Sequence, residues 1–219
     1  MSAMLNSLRK DSESLAVRKR IFKSACSSFS ERGLRGTHVR DICRHAEVNA
    51  AALCYHFRSK EGLYQAVVSE AGRQLAAAAE GLNQQIADAA PEARVRNIVE
   101  SLFQKLGEGR AWIARLVARL LADPAGERPG WVGLGFERYF LLLQADIKKL
   151  LGPQVDAETV RLHALSVTSQ CLFYCLAGET LHEVFPQLEW PLPTQPKLAQ
   201  HVASQCLAVL KSQNRKAGL

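Results

Sequence analysis

No stretch of this 219-residue chain alternates apolar and polar residues with a period of two, so it carries no strand signature and reads as all-α. No apolar run approaches the roughly 20 residues that a membrane-spanning helix requires, so no membrane partner is expected. The N-terminus has no apolar core of the kind that secretory leaders possess, and the expected setting is the cytoplasm. The six cysteines (Cys26, Cys43, Cys54, Cys171, Cys175 and Cys206) form no Cys-x-x-Cys pair and sit in apolar, helix-patterned segments. They read as free thiols used as small core residues in a reducing compartment. A phosphate-binding glycine loop, a Gly-x-Ser-x-Gly elbow, a His-Glu-x-x-His pair and a carboxylate cluster are all missing. Catalysis, a cofactor and a metal are therefore not expected.

Positive charge is present, and it is unevenly placed. Residues 1–60 hold twelve Lys/Arg against five Asp/Glu, whereas residues 61–219 hold sixteen of each. The whole net charge of +7 thus belongs to the N-terminal quarter. Such a patch suits a polyanion, because each neutralised phosphate releases counterions.

Helical periodicity organises the rest into about nine helices. Residues 1–14 are polar and patternless and are expected to form a flexible arm. From Leu15 the stripe Val17, Ile21, Phe22, Ala25, Cys26, Phe29 marks a first helix, and Gly33 stands where a helix ends in a residue of positive φ. Thr37 is placed to cap a second helix with the inner face Val39, Ile42, Cys43, Ala46. Glu47 and Val48 make a turn, Asn49 caps a third helix to about Phe57, and Ser59 caps a fourth that runs towards Ala87. Pro91 suits the first turn of a fifth helix with the stripe Val95, Ile98, Val99, Leu102, Phe103, Leu106. Further helices are expected at about 112–122, 131–151, 157–178 and 196–212, separated by Gly107-Glu108-Gly109, by breaks at 123–130 and by the proline-rich stretch 186–196. The helix at 157–178 is apolar on nearly all sides and is expected to be buried. This divides the chain into a head, 15–75, and a second unit, 76–219.

Within the head, residues 37–57 read as a helix-turn-helix, a layout that places its second helix in the DNA major groove. Ala50, Ala51 and Ala52 leave the first turn of that helix bare, so its backbone can approach bases and its methyls can touch thymine methyls. Asn49 either contacts a base or only caps. Leu53 and Phe57 face the core. Arg40 and Arg44 lie on the solvent side, as DNA contacts or as ordinary surface charge.

The residues Ile21, Ala25, Phe29 and Gly33, then Thr37-x-x-x-x-Ile42, Ala46-x-Val48 and Tyr55-His56-Phe57-x-x-Lys60-Glu61-x-Leu63, resemble the TetR family of bacterial transcriptional regulators. The resemblance covers the first third of the chain. Farther on, Gln170-Cys171-Leu172-Phe173-Tyr174 is similar to one branch of that family. The resemblance implies that Tyr55, His56 and Lys60 touch phosphates, with Thr37 doing the same at the second helix. It also implies a homodimer formed by the last two helices, double-stranded operator DNA as partner, and a small-molecule effector held by the second unit. One departure is Glu47, where the family usually has glycine.

On that reading the protein is a repressor released from a palindromic operator by a small hydrophobic effector. Candidate pocket residues are Phe103, Trp112, Phe136, Phe140, Phe173 and Tyr174, with Arg115, Arg119, His163 and Gln170 as polar anchors. The same aromatics also fit plain core packing. Two rivals stay open. One is a regulator switched by oxidation or metal binding at Cys171 and Cys175, four apart on one helix face. The other is an architectural DNA-binding protein without an effector.

Overall fold

In a computed structural model that describes residues 2–107, 111–122, 132–187 and 196–217, the described residues form nine helices and no strand. These are α1 (Ser2–Gly36), α2 (Val39–Ala46), α3 (Ala50–Phe57), α4 (Lys60–Gln85), α5 (Pro91–Leu106), α6 (Ala111–Ala122), α7 (Val132–Leu151), α8 (Ala157–Val184) and α9 (Pro196–Ala217). The breaks expected at residues 108–109, 123–130 and 188–195 lie outside the described residues. Among the described residues no helix is long and apolar enough to cross a membrane.

The N-terminal segment departs from expectation. Residues 2–14, read as a flexible arm, continue α1 as helix. No glycine or proline interrupts residues 1–32, and Arg9 pairs with Glu13 one turn on at 3.8 Å, so the only local signals favour helix. The helix breaks where expected: Gly33 has φ +68° and ψ −177°, a conformation open to glycine at little cost.

One continuous core runs through both halves, from Ile21 and Phe29 in α1 to Leu207 and Leu210 in α9. α4 is the spine. Its buried face passes from Leu63 and Val67 among the head helices to Leu75 and Ala79 beneath the second unit, without a break at residue 75. α7 crosses it so closely that a Cβ built on Gly135 would lie 2.4 Å from the Gly72 carbonyl oxygen.

A buried ion pair fastens the same region. The Arg94 guanidinium in α5 donates to both carboxylate oxygens of Asp146 in α7 at 2.9 and 2.8 Å, to the Ile86 carbonyl at 2.7 Å and to Asn83 Oδ1 at 3.0 Å. Asp146 is completely enclosed, and Lys149 adds a second cation at 3.4 Å. A buried carboxylate is tolerated only when paired and hydrogen-bonded in this way.

α8 corrects a further expectation. Its apolar character does not mean burial on all sides, because Leu162, Leu165, Phe173, Leu176 and Val184 are exposed in the single chain. At 100° per residue these five fall on one face, opposite Val160, Ala164, Val167 and Cys171, which enter the core. Among the described residues no element covers this face of α8.

Candidate nucleic-acid interface

The head brings the short helix α3 to the surface and holds it from three sides. Leu53 and Phe57 are its buried anchors, and Val48 packs partly into the core ahead of it. The Arg18 guanidinium of α1 lies 5.2 Å from the Phe57 ring centroid and covers the far end. Asn49 Oδ1 accepts the Ala52 N–H at 2.9 Å, so its capping role is realised. Ala50 and Ala51 are exposed, leaving the first turn slim enough to meet base edges.

Two non-glycine residues of positive φ bracket α3. Glu47 takes the left-handed conformation (φ 53°, ψ 50°) that lets the Val48 N–H reach the Cys43 carbonyl at 3.0 Å. Without glycine there, that backbone costs roughly 1–2 kcal/mol. Arg58 (φ 67°, ψ −51°) centres a γ-turn in which the Ser59 N–H donates to the Phe57 carbonyl at 2.8 Å. Ser59 then caps α4, its hydroxyl accepting the Gly62 N–H at 3.0 Å. The backbone N–H of Glu61, and after it the same hydroxyl, hold the exposed Glu61 carboxyl below the usual carboxylate range.

The predicted DNA-contacting residues divide into two groups. Arg40, Arg44, Asn49, Ala50, Ala51 and Tyr55 are exposed, Tyr55 by 81 %, and His56 is half-buried with its ring 5.0 Å from that of Tyr55. Thr37 must be corrected. It is wholly buried, its hydroxyl is directed at the Gly33 and Ser28 carbonyls (2.7 and 3.0 Å), and the N-cap position of α2 falls on His38, whose side chain makes no capping bond. The polar backbone exposed by the break at Gly33 needs a partner in the core, and Thr37 supplies it. Lys60 is half-buried, and its ammonium donates to the Thr37 carbonyl at 3.3 Å, which ties the start of α4 to the start of α2. Two neighbouring helix N-termini and a lysine between them form a setting suited to a phosphate. Sequence reasoning passed over Arg20 and Cys54, both exposed beside or on α3, since nothing in the local pattern separates them from their neighbours.

Of the residues expected to line an effector pocket, Phe103 and Tyr174 are brought into ring contact. Phe103 is buried and its ring stands 6.5 Å from Tyr174, while Trp112, Phe136 and Phe140 pack half-buried on the core. Arg115 is exposed, and Gln170 donates to the Ser166 carbonyl of its own helix at 3.2 Å. Three placements are corrections. Phe173 lies on the exposed face of α8. His163 meets Gln213 of α9 at 2.8 Å. Arg119 reaches out of α6 to the Glu31 carbonyl of α1, against the bare Gly33. In each case the helix phase, which single-sequence periodicity left ambiguous on an apolar helix, turned the side chain elsewhere.

The thiols proposed for redox or metal chemistry sit in a poor setting for it. Burial pushes Cys175 up to about 12 and Cys171 higher still, so neither offers thiolate near neutral pH.

The family described as "Bacterial regulatory proteins, tetR family" matches residues 21–67. A second, "HTH-type transcriptional dual regulator CecR, C-terminal domain", matches residues 91–212, more than half the chain. The probable HTH-type transcriptional regulator YttP of Bacillus subtilis (strain 168) is 39 % identical over 56 residues, 26 % of this chain and 27 % of that protein. The chain therefore matches only about a quarter of that relative's length. FadR from Bacillus subtilis, solved with stearoyl-CoA, superposes with a TM-score of 0.61 at 16 % identity over 89 % of this chain and 98 % of its own. AibR, solved with isovaleryl coenzyme A and operator DNA, does so with 0.61 at 17 % identity over 88 % and 97 %. At such identities the two structures share the fold. Helix-turn-helix head and C-terminal half together place the chain in the TetR family of bacterial transcriptional regulators, with a C-terminal domain of the CecR type.

Proposed function

We propose that the protein is a homodimeric repressor that leaves a palindromic operator when a small, largely apolar effector occupies its C-terminal half. The observation that carries this reading is the bare, exposed first turn of α3 within the N-terminal 60 residues, which hold all of the chain's excess positive charge. One such helix reads few base pairs, and a two-fold dimer placing two of them in successive major grooves supplies the missing specificity. The single exposed stripe on α8, joined by the exposed Val209 of α9, supports dimerisation through these helices. The acyl-coenzyme A ligands of FadR and AibR support an apolar effector and favour an acyl chain. Binding releases DNA only to the extent that it favours one spacing of the two heads over the other.

The test is a fluorescence-anisotropy titration against DNA flanking the protein's own gene, with excess unrelated competitor, followed by addition of acyl-coenzyme A thioesters of graded length. Competitor-resistant binding of two chains per site, reversed by one of these thioesters, is the expected result. Specific binding that no thioester reverses removes the acyl effector from the reading. Binding abolished by competitor overturns the repressor and favours the architectural alternative. Tyr55→Ala should weaken binding on all sequences.

A further inference from the structure

An open groove of about 570 Å³ lies between α1, the end of α2 and the first turn of α3. Arg20 and Val17 of α1 form one wall, Arg44 and Glu47 the other, and Asn49 and Ala52 of α3 close the end. The place of this groove follows from the size of the parts. An α-helix with its side chains is about 10–12 Å across and the major groove about 12 Å wide, so an inserted α3 fills it. Side chains that flank its first turn are then carried over the phosphate strand at the rim.

We infer that Arg20 is a further phosphate contact of this head, and that Glu47 competes with DNA for it. The Arg20 guanidinium stands 3.9 Å from the Glu47 carboxylate, and both side chains are largely exposed (51 % and 84 %). A pair so loose and so well solvated is weak, and a phosphate can take over the arginine. The acid is held at the groove mouth by the left-handed backbone of the turn, although glycine would suit that backbone better. Arg44, on the opposite wall, is engaged by Asp41 at 3.2 Å. Glu47 thus acts as an internal stand-in for phosphate and lowers affinity for any duplex. The inference rests on the proposal that α3 enters the major groove.

The salt dependence of binding tests it. Each phosphate contact contributes about 0.9 to the slope of log K against log [salt]. The full-length protein and its R20Q, R20K, E47Q and R20Q/E47Q variants are titrated by anisotropy at several salt concentrations, on the operator and on an unrelated duplex. R20Q should lose about 0.9 of slope on both duplexes and bind several-fold more weakly, and R20K should keep the slope. E47Q should bind about threefold more tightly, and that gain should largely vanish in R20Q/E47Q. An unchanged slope in R20Q overturns the contact, and an E47Q gain of equal size in both backgrounds overturns the competition. The unrelated duplex keeps the two readings apart: failure of operator specificity leaves the slope on random DNA measurable, and that slope still decides the fate of Arg20.

Discussion

Gly135→Ala and Gly81→Ala add one methyl group to a helix in each case, and the fold assigns them opposite signs. On propensity alone either change should stabilise by about 0.8–1 kcal/mol, since alanine loses less backbone freedom than glycine on becoming helical. At Gly81 in α4 a new Cβ meets nothing within 4 Å, so that gain should appear almost undiminished. At Gly135 the Cβ would stand 2.4 Å from the Gly72 carbonyl oxygen, 2.9 Å from the Gly72 Cα and 2.8 Å from the Leu75 Cβ. None of these atoms ends a flexible chain, so α7 must withdraw from α4 by about 1 Å. Such a gap forfeits a quarter to a half of the dispersion attraction along the crossing, and overpacking in a filled core costs about 1–3 kcal/mol. The atoms met are backbone or Cβ atoms that cannot swing aside, so the upper part of that range applies, about 2–3 kcal/mol, and after subtracting the propensity gain Gly135→Ala should destabilise by roughly 1–2 kcal/mol. For a chain of this size that lowers Tm by roughly 2–8 °C, against a rise of about 2–4 °C for Gly81→Ala. Urea denaturation at fixed protein concentration, followed by circular dichroism, reads both. A Gly135→Ala protein as stable as Gly81→Ala would refute the close α4–α7 crossing.

Asp146→Ala should cost about 3–5 kcal/mol, because it leaves the buried Arg94 guanidinium without its counter-charge; circular dichroism melts would check this, and a loss under 1 kcal/mol would contradict a closed pair. Phe173→Glu should convert dimer to folded monomer in light scattering behind size exclusion, with helicity retained, since it charges the middle of the exposed α8 stripe; an intact dimer would remove α8 from the interface. In the native protein an aromatic disulfide reagent should titrate Cys54 rapidly and Cys26, Cys43, Cys171 and Cys206 only after denaturation, because Cys54 is exposed and these four are buried. Burial raises the thiols of Cys26 and Cys175 from the ordinary value near 9 to about 12 and that of Cys206 to about 11. The folded chain therefore binds more protons than the unfolded one in that range. Stability from this source is complete below about pH 9 and lost as pH climbs towards 12, which denaturant titrations across alkaline pH would detect.

Local patterns carried the all-helical architecture well. The break of α1 and the starts of α3, α4 and α5 were legible because each is set by nearby chemistry: the glycine of positive φ at 33, the caps Asn49 and Ser59, and Pro91 at the start of α5. The candidate DNA surface was legible for a related reason, since residues such as Tyr55, Ala50 and Ala51 interrupt or thin an otherwise apolar helix. Thr37 misled because its capping chemistry is generic. A hydroxyl before a helix can face water, phosphate or, as here, a broken turn in the core. Arg94 and Asp146 went unrecognised because they lie 52 residues apart, and a buried charge is intelligible only beside its partner.

The effector-facing residues were the least legible. On helices as apolar as α6 and α8, periodicity names the helix without naming its inner face. The amino-acid sequence alone determined helix content, the order of the elements, the basic head and the slim reading helix, because these depend on residues within a turn or two of one another. Only the tertiary structure decided which face of α8 remains uncovered, that Arg119 touches the head instead of a pocket, and that Arg20 stands at the flank of α3. Each of these depends on where distant helices come to rest, and that is governed by the packing of the whole core.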